Sequence, residues 1–199
     1  IDPVRFIGNR SSGKMGFAIA RECLERGASV TLIAGPVNLD LESEQLSLIR
    51  VQSAAEMYEA AKNASEAADI IILSAAVADF KPVSVAREKI KKSENHMQLE
   101  LEKTVDIAAT LGSKKATNQI LVGFALETND EINHAKQKLH KKNLDFIVLN
   151  SLNDSGAGFQ HDTNKVTILD KTGNQISFPL KSKKEVAADI INYIISSQQ

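Results

Sequence analysis

Three observations predict an α/β fold of three layers, α/β/α, built as a single domain on a mainly parallel central sheet. Short apolar runs are continuous rather than alternating, as in strands buried on both faces. They alternate along the chain with stretches of helical period, which is the rhythm of βαβ units. The chain has 199 residues, 43% hydrophobic and 25% charged, values that suit one ordinary globular domain.

The elements follow in order. Residues 13–26 bring Met15, Ala18, Ile19, Cys23 and Leu24 near one helical face, and Gly27 stops the helix. "SVTLIAG" (29–35) is β-branched, uninterrupted and closed by glycine, which marks a buried strand. Residues 53–65 favour helix, and "DIIILSAA" (69–76) is the strongest strand signal of the chain. Residues 77–103, "VADFKPVSVAREKIKKSENHMQLELEK", break the rhythm. Connections this long carry function or motion. The alternation in "MQLELE" suits one arm of an exposed hairpin. A helix at 105–116, a strand "QILVGFA" (119–125), a helix at 129–143 and a strand "LDFIVLN" (144–150) resume the pattern. "KVTILD" and "QISFPL" then form a C-terminal hairpin turning at Thr172-Gly173-Asn174, and a helix over 182–195 closes the chain. No internal repeat or linker divides it, so residues 1–199 are read as one domain with a lysine-bearing flap at about 77–103.

Composition narrows the function. Lys and Arg total 24 against 25 Asp and Glu, which argues against a nucleic-acid-binding surface over the whole protein. No apolar run reaches membrane-spanning length and no signal-peptide pattern is visible. The one cysteine, Cys23, has no internal disulfide partner, which fits a reducing cytoplasm. The chain starts at Ile1 without Met, as a piece of a longer polypeptide does.

Ligands of open α/β sheets gather at the carboxyl ends of the strands. Four polar or glycine-rich segments are expected there: "NRSSGKMG", "SAAVADF", "GFALETND" and "NSLNDSGAGF". The first resembles a P-loop, with Gly8, four residues and then Gly13-Lys14. A P-loop continues with Ser or Thr to hold Mg²⁺, and Met15 is a poor ligand for a hard cation. Ser11 or Ser12 can cap the helix that follows, and its N-terminus favours an anion. Asp79 follows the small residues Ser74-Ala75-Ala76, where a carboxylate can accept ribose hydroxyls or hold a metal. Lys89-Ile90-Lys91-Lys92 concentrates positive charge on the long loop, as a lid over polyphosphate would. Lys138 and Lys142 are four apart and share a helix face. The histidines show no metal-ligand spacing, and no Ser-His-Asp arrangement can be argued.

Taken in order, "IDPVRFIGNRSSGKMGFAIA", "SAAVADFKP", "EKIKK", "VGFALET" and "KKNLDFIVLN" resemble the phosphopantothenoylcysteine synthetase family, above all the synthetase half of the bacterial bifunctional coenzyme A biosynthesis flavoproteins. The resemblance runs nearly the full length. The flavin-binding decarboxylase half and the glycine-rich first strand expected before Ile1 are not in this sequence, so no flavin is expected in this piece. The resemblance implies a Rossmann-like, ribokinase-like layering and the joining of 4′-phosphopantothenate to cysteine at the expense of CTP, with Mg²⁺. The carboxylate attacks the α-phosphate and displaces pyrophosphate; the acyl-cytidylate then takes the cysteine amine and releases CMP. No protein nucleophile is required.

The resemblance also implies roles. Asn9 holds the acyl-phosphate intermediate. Arg5 binds phosphopantothenate, reaching across a homodimer interface, with the 77–103 arm as a candidate contact. Ala75 and Ala76 offer backbone contacts to that substrate, while Ser74 and Asp79 lie nearest the nucleotide. Lys89 neutralises phosphate charge. Val105, Asp106, Ile107 and Ala108 open a helix and offer amides to the triphosphate. Phe124 borders the cytosine, and Lys138 and Lys142 bind the polyphosphate tail. Two positions depart from the family pattern. Thr104-Val105 stands where Asn-Pro often precedes the aspartate, which loosens the loop. Leu126 replaces a common Ala, which narrows the nucleotide pocket.

Two other readings are kept. A nicotinamide-dependent oxidoreductase is weakened because no G-x-G-x-x-G follows a strand and neither Tyr58 nor Tyr193 is read as part of a Tyr-x-x-x-Lys pair. A non-catalytic nucleotide-binding module would use the lysine lid and Asp79 without turnover.

Overall fold

The computed structural model describes residues 1–91, 96–127, 129–151 and 161–198. In chain order the elements are α1 (Lys14–Glu25), β1 (Val30–Ala34), β2 (Leu46–Arg50), α2 (Ala54–Ser65), β3 (Ile70–Leu73), β4 (Phe80–Pro82), β5 (Leu101–Lys103), α3 (Ile107–Lys114), β6 (Ile120–Glu127), α4 (Glu131–Lys141), β7 (Phe146–Ser151), β8 (Thr163–Asp170), β9 (Gln175–Ser182) and α5 (Lys183–Ser196).

The fold is mixed α/β with a mostly parallel central sheet in the order β3-β6-β7-β8-β9. β3, β6 and β7 are parallel, β8 runs against β7, and β9 turns back again, so only β8 opposes the rest. The continuous apolar runs have the cause expected of them. Along β6, Ile120, Val122 and Phe124 face the cluster that contains Ile19 of α1 and Val186, Ile190 and Ile194 of α5. Leu121 and Ala125 face the cluster of Leu111 in α3 with Ala135 and Leu139 in α4. Both faces are covered, so both must be apolar. Leu144 packs closely on Gly123, where a Cβ would lie 2.6 Å from Leu144 Cδ1 and the leucine side chain would have to shift.

Local chemistry starts the helices. Ser53 caps α2 by accepting from the Glu56 amide. Ser182 and Glu185 form a reciprocal capping box at α5. α1 differs from expectation. Its N-cap is Gly13, in the left-handed region at φ 74°, and no side chain makes a cap bond. Ser11 Oγ lies 3.4 Å from the Gly13 amide and Ser12 Oγ 3.5 Å from the Lys14 amide, both long for a cap. α1 is also buried on two faces rather than one. Ile19 packs towards α5, while Phe17 and Ala20 pack on a third cluster with Ala34 and Leu41.

The C-terminal hairpin is present but not separate. β8 and β9 extend the central sheet, and Asp170 ties the turn by accepting from the Thr172 and Asn174 amides. The periodicity does not reveal β2, where "LSLIR" mixes polar side chains into a half-exposed strand. β2 pairs in parallel with β1 as a second, two-stranded sheet. β1 and β3 share the cover of α2, through Ile33, Ile71, Met57 and Tyr58, without pairing with each other. Among the described residues of the flap, Phe80–Pro82 and Leu101–Lys103 pair as a short antiparallel ribbon. Lys92 and most of "NSLNDSGAGF" lie outside the described residues.

One buried charge anchors the opposite end of the sheet. Asp145 accepts from Lys115, from Lys171 at 2.5 Å and from the Leu121 amide at 2.8 Å. Burial alone would raise its pKa, but these donors outweigh burial and hold the carboxyl below its ordinary range. A depressed folded pKa stabilises at neutral pH, and the gain is lost as pH falls through that value. Asp145→Ala is expected to cost about 3 kcal/mol in urea unfolding at pH 7, because Lys115 is left buried without a counter-charge. The difference from wild type should shrink below about pH 4; a pH-independent difference would contradict the ion-pair account.

Candidate active site

β3, β6 and β7 are parallel and end on the same side of the central sheet, and the loop after β3 carries Ser74, Ala75, Ala76 and Asp79. α1 begins there too. Gly16, in its first turn, approaches Ser74 so closely that a Cβ would lie 2.9 Å from Ser74 Oγ. Gly13 sits against Val37, in the loop after β1. Gly13 and Gly16 of "GNRSSGKMG" therefore dock a helix start against the segments that follow two strands, which is a different use from a P-loop. Lys14 is paired with Asp162 at 2.6 Å, and the Lys14 ammonium holds the Asp162 carboxyl below its usual range.

The loop after β3 is a junction. Asn9 Nδ2 donates to the Val77 carbonyl at 2.9 Å. Thr104 Oγ1 donates to the Ala78 carbonyl at 2.6 Å, and the Thr104 amide donates to the Asp79 carbonyl at 2.9 Å. Asn9, Ala75, Ala76 and Asp79 are thus brought to one loop, with the strand leading to Val105 laid across it. The looseness expected from Thr104-Val105 is offset, because the two Thr104 bonds secure the loop that a proline would have stiffened. Ala75 and Asp79 are exposed, and Ser74 and Ala76 half-buried.

A second tie joins the N-terminal segment to the flap. Arg5 donates through Nε to Asp2 Oδ2 at 2.9 Å, and through Nη2 both to that oxygen and to the Ile90 carbonyl at 2.9 Å. The Arg5 guanidinium, with further amides, holds the Asp2 carboxyl far below the usual carboxylate range. Lys89 is the residue before Ile90 and is exposed.

The remaining cations are grouped on α4. Lys142 pairs with Asp106 at 3.0 Å, and Lys138 pairs with Glu127, at the end of β6, at 2.6 Å. Asp106 is the N-cap of α3 and accepts from the Ala109 amide. α3 therefore starts at Ile107, one residue after Asp106, and Val105 lies before the cap. Burial works against the ionised Asp106, yet the Ala109 amide and Lys142 outweigh it and keep its pKa low. Gly112 seats Lys142, since a Cβ there would lie 1.9 Å from the Lys142 carbonyl oxygen. Phe124 stands apart from this group. It packs towards α1 and α5, whereas α3 and α4 cover the other face. Leu126, the last residue but one of β6, is half-buried and in register with Asn150.

Several partners escape sequence reasoning. Asp2, Thr104, Glu127 and Asp162 act by positioning a neighbour, and only Asp2 carries a local signal, the turn-forming Asp-Pro pair. Tyr58 and Lys62 do have Tyr-x-x-x-Lys spacing, so that objection to a reductase falls. Tyr58, however, is partly buried against the core, and Lys62 lies 3.7 Å from Glu59. Cys23 also packs in the core, where burial pushes its thiol pKa up, against a nucleophilic role. Among the described residues no group of three or more His, Cys, Asp or Glu is arranged to hold a metal ion. No described helix is long and apolar enough to cross a membrane.

A family model described as "DNA/pantothenate metabolism flavoprotein C-terminal domain" matches residues 1–197. A protein of an unknown prokaryotic organism, named "Cysteine/Cysteine sulfinic acid decarboxylase", is 56% identical over 98% of this chain and 55% of its own length. The "Coenzyme A biosynthesis bifunctional protein CoaBC" of Bacillus subtilis is 50% identical over 98% of this chain and 48% of its own length. That of Haemophilus influenzae is 46% identical over 100% and 49%. The chain thus spans about half the length of the curated relatives it matches. A crystal structure of the C-terminal domain of a CoaBC protein superposes with a TM-score of 0.81 at 42% identity, covering 98% of this chain and 87% of that one. A Cab2 mutant in complex with phosphopantothenate-cysteine shares the fold, with a TM-score of 0.72 at 18% identity over 98% and 83%.

Thr104→Val keeps shape and removes one hydroxyl. It is expected to cost about 1 kcal/mol in urea unfolding, because the half-buried Ala78 carbonyl loses its donor. Unchanged stability would mean that water replaces the bond and that the junction does not depend on it.

Proposed function

The chain belongs to the DNA/pantothenate metabolism flavoprotein C-terminal domain family, and on that premise we propose that it joins 4′-phosphopantothenate to cysteine with CTP, as a ligase of coenzyme A biosynthesis. The observation that carries this reading is the Asn9–Val77 hydrogen bond, which fixes a side-chain amide beside Ala75, Ala76 and Asp79. A carboxylate is a poor acyl donor until its oxygen becomes part of a good leaving group. Here the substrate carboxylate attacks the α-phosphorus of CTP, the bond to the bridging oxygen breaks, and pyrophosphate leaves. The cysteine amine then attacks the acyl carbon, loses a proton, and CMP departs with the former carboxylate oxygen. The chain has to position the reactants and neutralise charge.

Each residue has a part in this reading. Asn9 Nδ2 donates to the acyl-cytidylate, exchanging Val77 for a substrate oxygen. Ala75 and Ala76 present backbone to the phosphopantothenate, whose phosphate takes one edge of Arg5. Ser74 and Asp79 meet the nucleotide, and Phe124 and Leu126 border its base. Ile107 and Ala108 offer first-turn amides to the triphosphate, with Val105 and Asp106 shaping the approach. Lys138 and Lys142 exchange Glu127 and Asp106 for polyphosphate oxygens, and Lys89 neutralises the charge that moves to pyrophosphate. Mg²⁺ would neutralise phosphate charge. The exposed Asp79 and the capped Asp106 are fitting donors, because a nucleotide-bound Mg²⁺ takes only one or two carboxylates.

The wider reading is one ligase domain over 1–199, Rossmann-like in layering, acting in the cytoplasm beside a fused or separate flavin-dependent decarboxylase. Among the described residues β1 pairs with β2 and β3 with β6, and the other edge of each suits one further parallel strand. Val4, Phe6, Phe80, Val83, Val85 and Leu101 are exposed apolar side chains on the N-terminal segment and flap, which supports a homodimer through that face. Light scattering at micromolar concentration is expected to return twice the monomer mass; a monomer would contradict it.

A nucleotide-binding module without turnover is the second reading. It is favoured by one observation: Lys138 and Lys142 are already neutralised by carboxylates. Pyrophosphate release with Mg²⁺, 4′-phosphopantothenate and CTP, with and without cysteine, separates the two, with ATP as the parallel nucleotide. The ligase reading predicts release with CTP, and CMP with a cysteine adduct on full addition. Asn9→Asp, which swaps a donor for a negative charge, should lower the rate at least about a hundredfold. No release with either nucleotide from folded protein would sink the ligase and leave the module.

A further inference from the structure

Asp2 is engaged beyond what a surface turn needs. Its side chain is wholly shielded from solvent. The two oxygens divide the work. Oδ1 accepts the Val4 and Arg5 amides, both at 2.9 Å, which closes the local Asp-Pro turn. Oδ2 faces outward to Arg5 Nε and Nη2 and to the Ile90 amide, the last at 3.2 Å. Arg5 Nη2 in turn donates to the Ile90 carbonyl at 2.9 Å. The backbone of Ile90 is therefore bracketed on both sides by one ion pair. Nearby, the Ala86 amide donates to the Ile1 carbonyl at 3.0 Å.

The same segment is attached a second time, through Asn9 to Val77. Residues 2–9 thus join the base of the flap, where it leaves β3, to its middle at Ile90. Eight residues reach at most about 28 Å when extended, so Ile90 cannot swing freely while both ties hold. An isolated i,i+3 surface pair contributes little, but this carboxylate is shielded, and it also accepts from the Ile90 amide on another segment.

We propose that Asp2 is a positioning residue, whose outer oxygen straps the segment carrying Arg5 and Asn9 to the flap at Ile90 and so sets where Lys89 is presented. The consequence for catalysis rests on the ligase reading above; the strap itself does not.

Asp2→Asn tests this selectively. The amide oxygen can keep the inner turn, while an NH2 group replaces the outer oxygen and meets only donors. Two measurements on the purified protein decide it. The Ile90 amide is expected to exchange with solvent at least about tenfold faster, with amides of β7 and α5 unchanged as the check on folding. In the pyrophosphate assay kcat should fall about tenfold or more, with KM for CTP within about twofold, because a misplaced Lys89 affects the transition state more than binding. Unchanged Ile90 exchange would overturn the proposal. So would faster exchange with both kinetic constants unaltered in an active enzyme. A wild-type protein silent in the assay would sink the ligase reading alone; Ile90 exchange would then decide the strap, upheld if faster and overturned if not.

Discussion

Three consecutive backbone carbonyls, of Val77, Ala78 and Asp79, hold the functional end of the molecule together. They accept from the Asn9 side chain, the Thr104 hydroxyl and the Thr104 amide. The donors come from segments separated by nearly half the chain. A carbonyl that leaves a sheet without a ladder partner has to find a donor elsewhere, and here each donor comes from a segment that carries site residues. The loop after β3 thereby fixes Asn9 relative to the approach to α3, and through Asp106 it reaches Lys142.

Charge is organised on the same plan. Lys14, Lys138 and Lys142 are each held by a carboxylate from another segment, and Arg5 by Asp2, three residues before it. Such pairs add little to stability where they are exposed. What they supply is order: the cations are held in place, and in the proposed reaction the polyphosphate would displace carboxylates rather than immobilise loose side chains. Lys89 lies on a flap whose position depends on Asp2 and Arg5. This arrangement suits a reaction in which the protein supplies position and positive charge and no covalent group.

The sheet was legible because its strands are apolar on both faces. "DIIILSAA" and "LDFIVLN" could be read as strands without any knowledge of their neighbours, and the helices were found to within two residues at most of their ends. β2 was not legible, since "LSLIR" is half-exposed and its polar positions hide the run. The two-sided burial of α1 was missed because Phe17 and Ala20 pack on β1's sheet, which periodicity about one face does not anticipate. Asn9 and Lys142 were named as candidate ligands through the family resemblance alone, while the glycine-rich loop of Asn9 and the helix whose C-cap is Lys142 could be read from the residues. Several neighbours that position the site were not legible. Glu127 and Thr104 act through contacts that depend on how separate segments meet, of which composition or spacing carries no trace, and the Asp-Pro pair at Asp2 marks its local turn but not its bond to Ile90.

The central claim is that the substrate carboxylate is activated by transfer of a nucleotidyl group at this junction. The most direct test is to supply 4′-phosphopantothenate labelled with ¹⁸O in its carboxylate, together with CTP, Mg²⁺ and cysteine, and to follow the label by mass spectrometry. The account predicts one labelled oxygen in each CMP released, with the other retained in the amide product. Label absent from CMP, whether found in inorganic phosphate or left in unreacted acid, would contradict it.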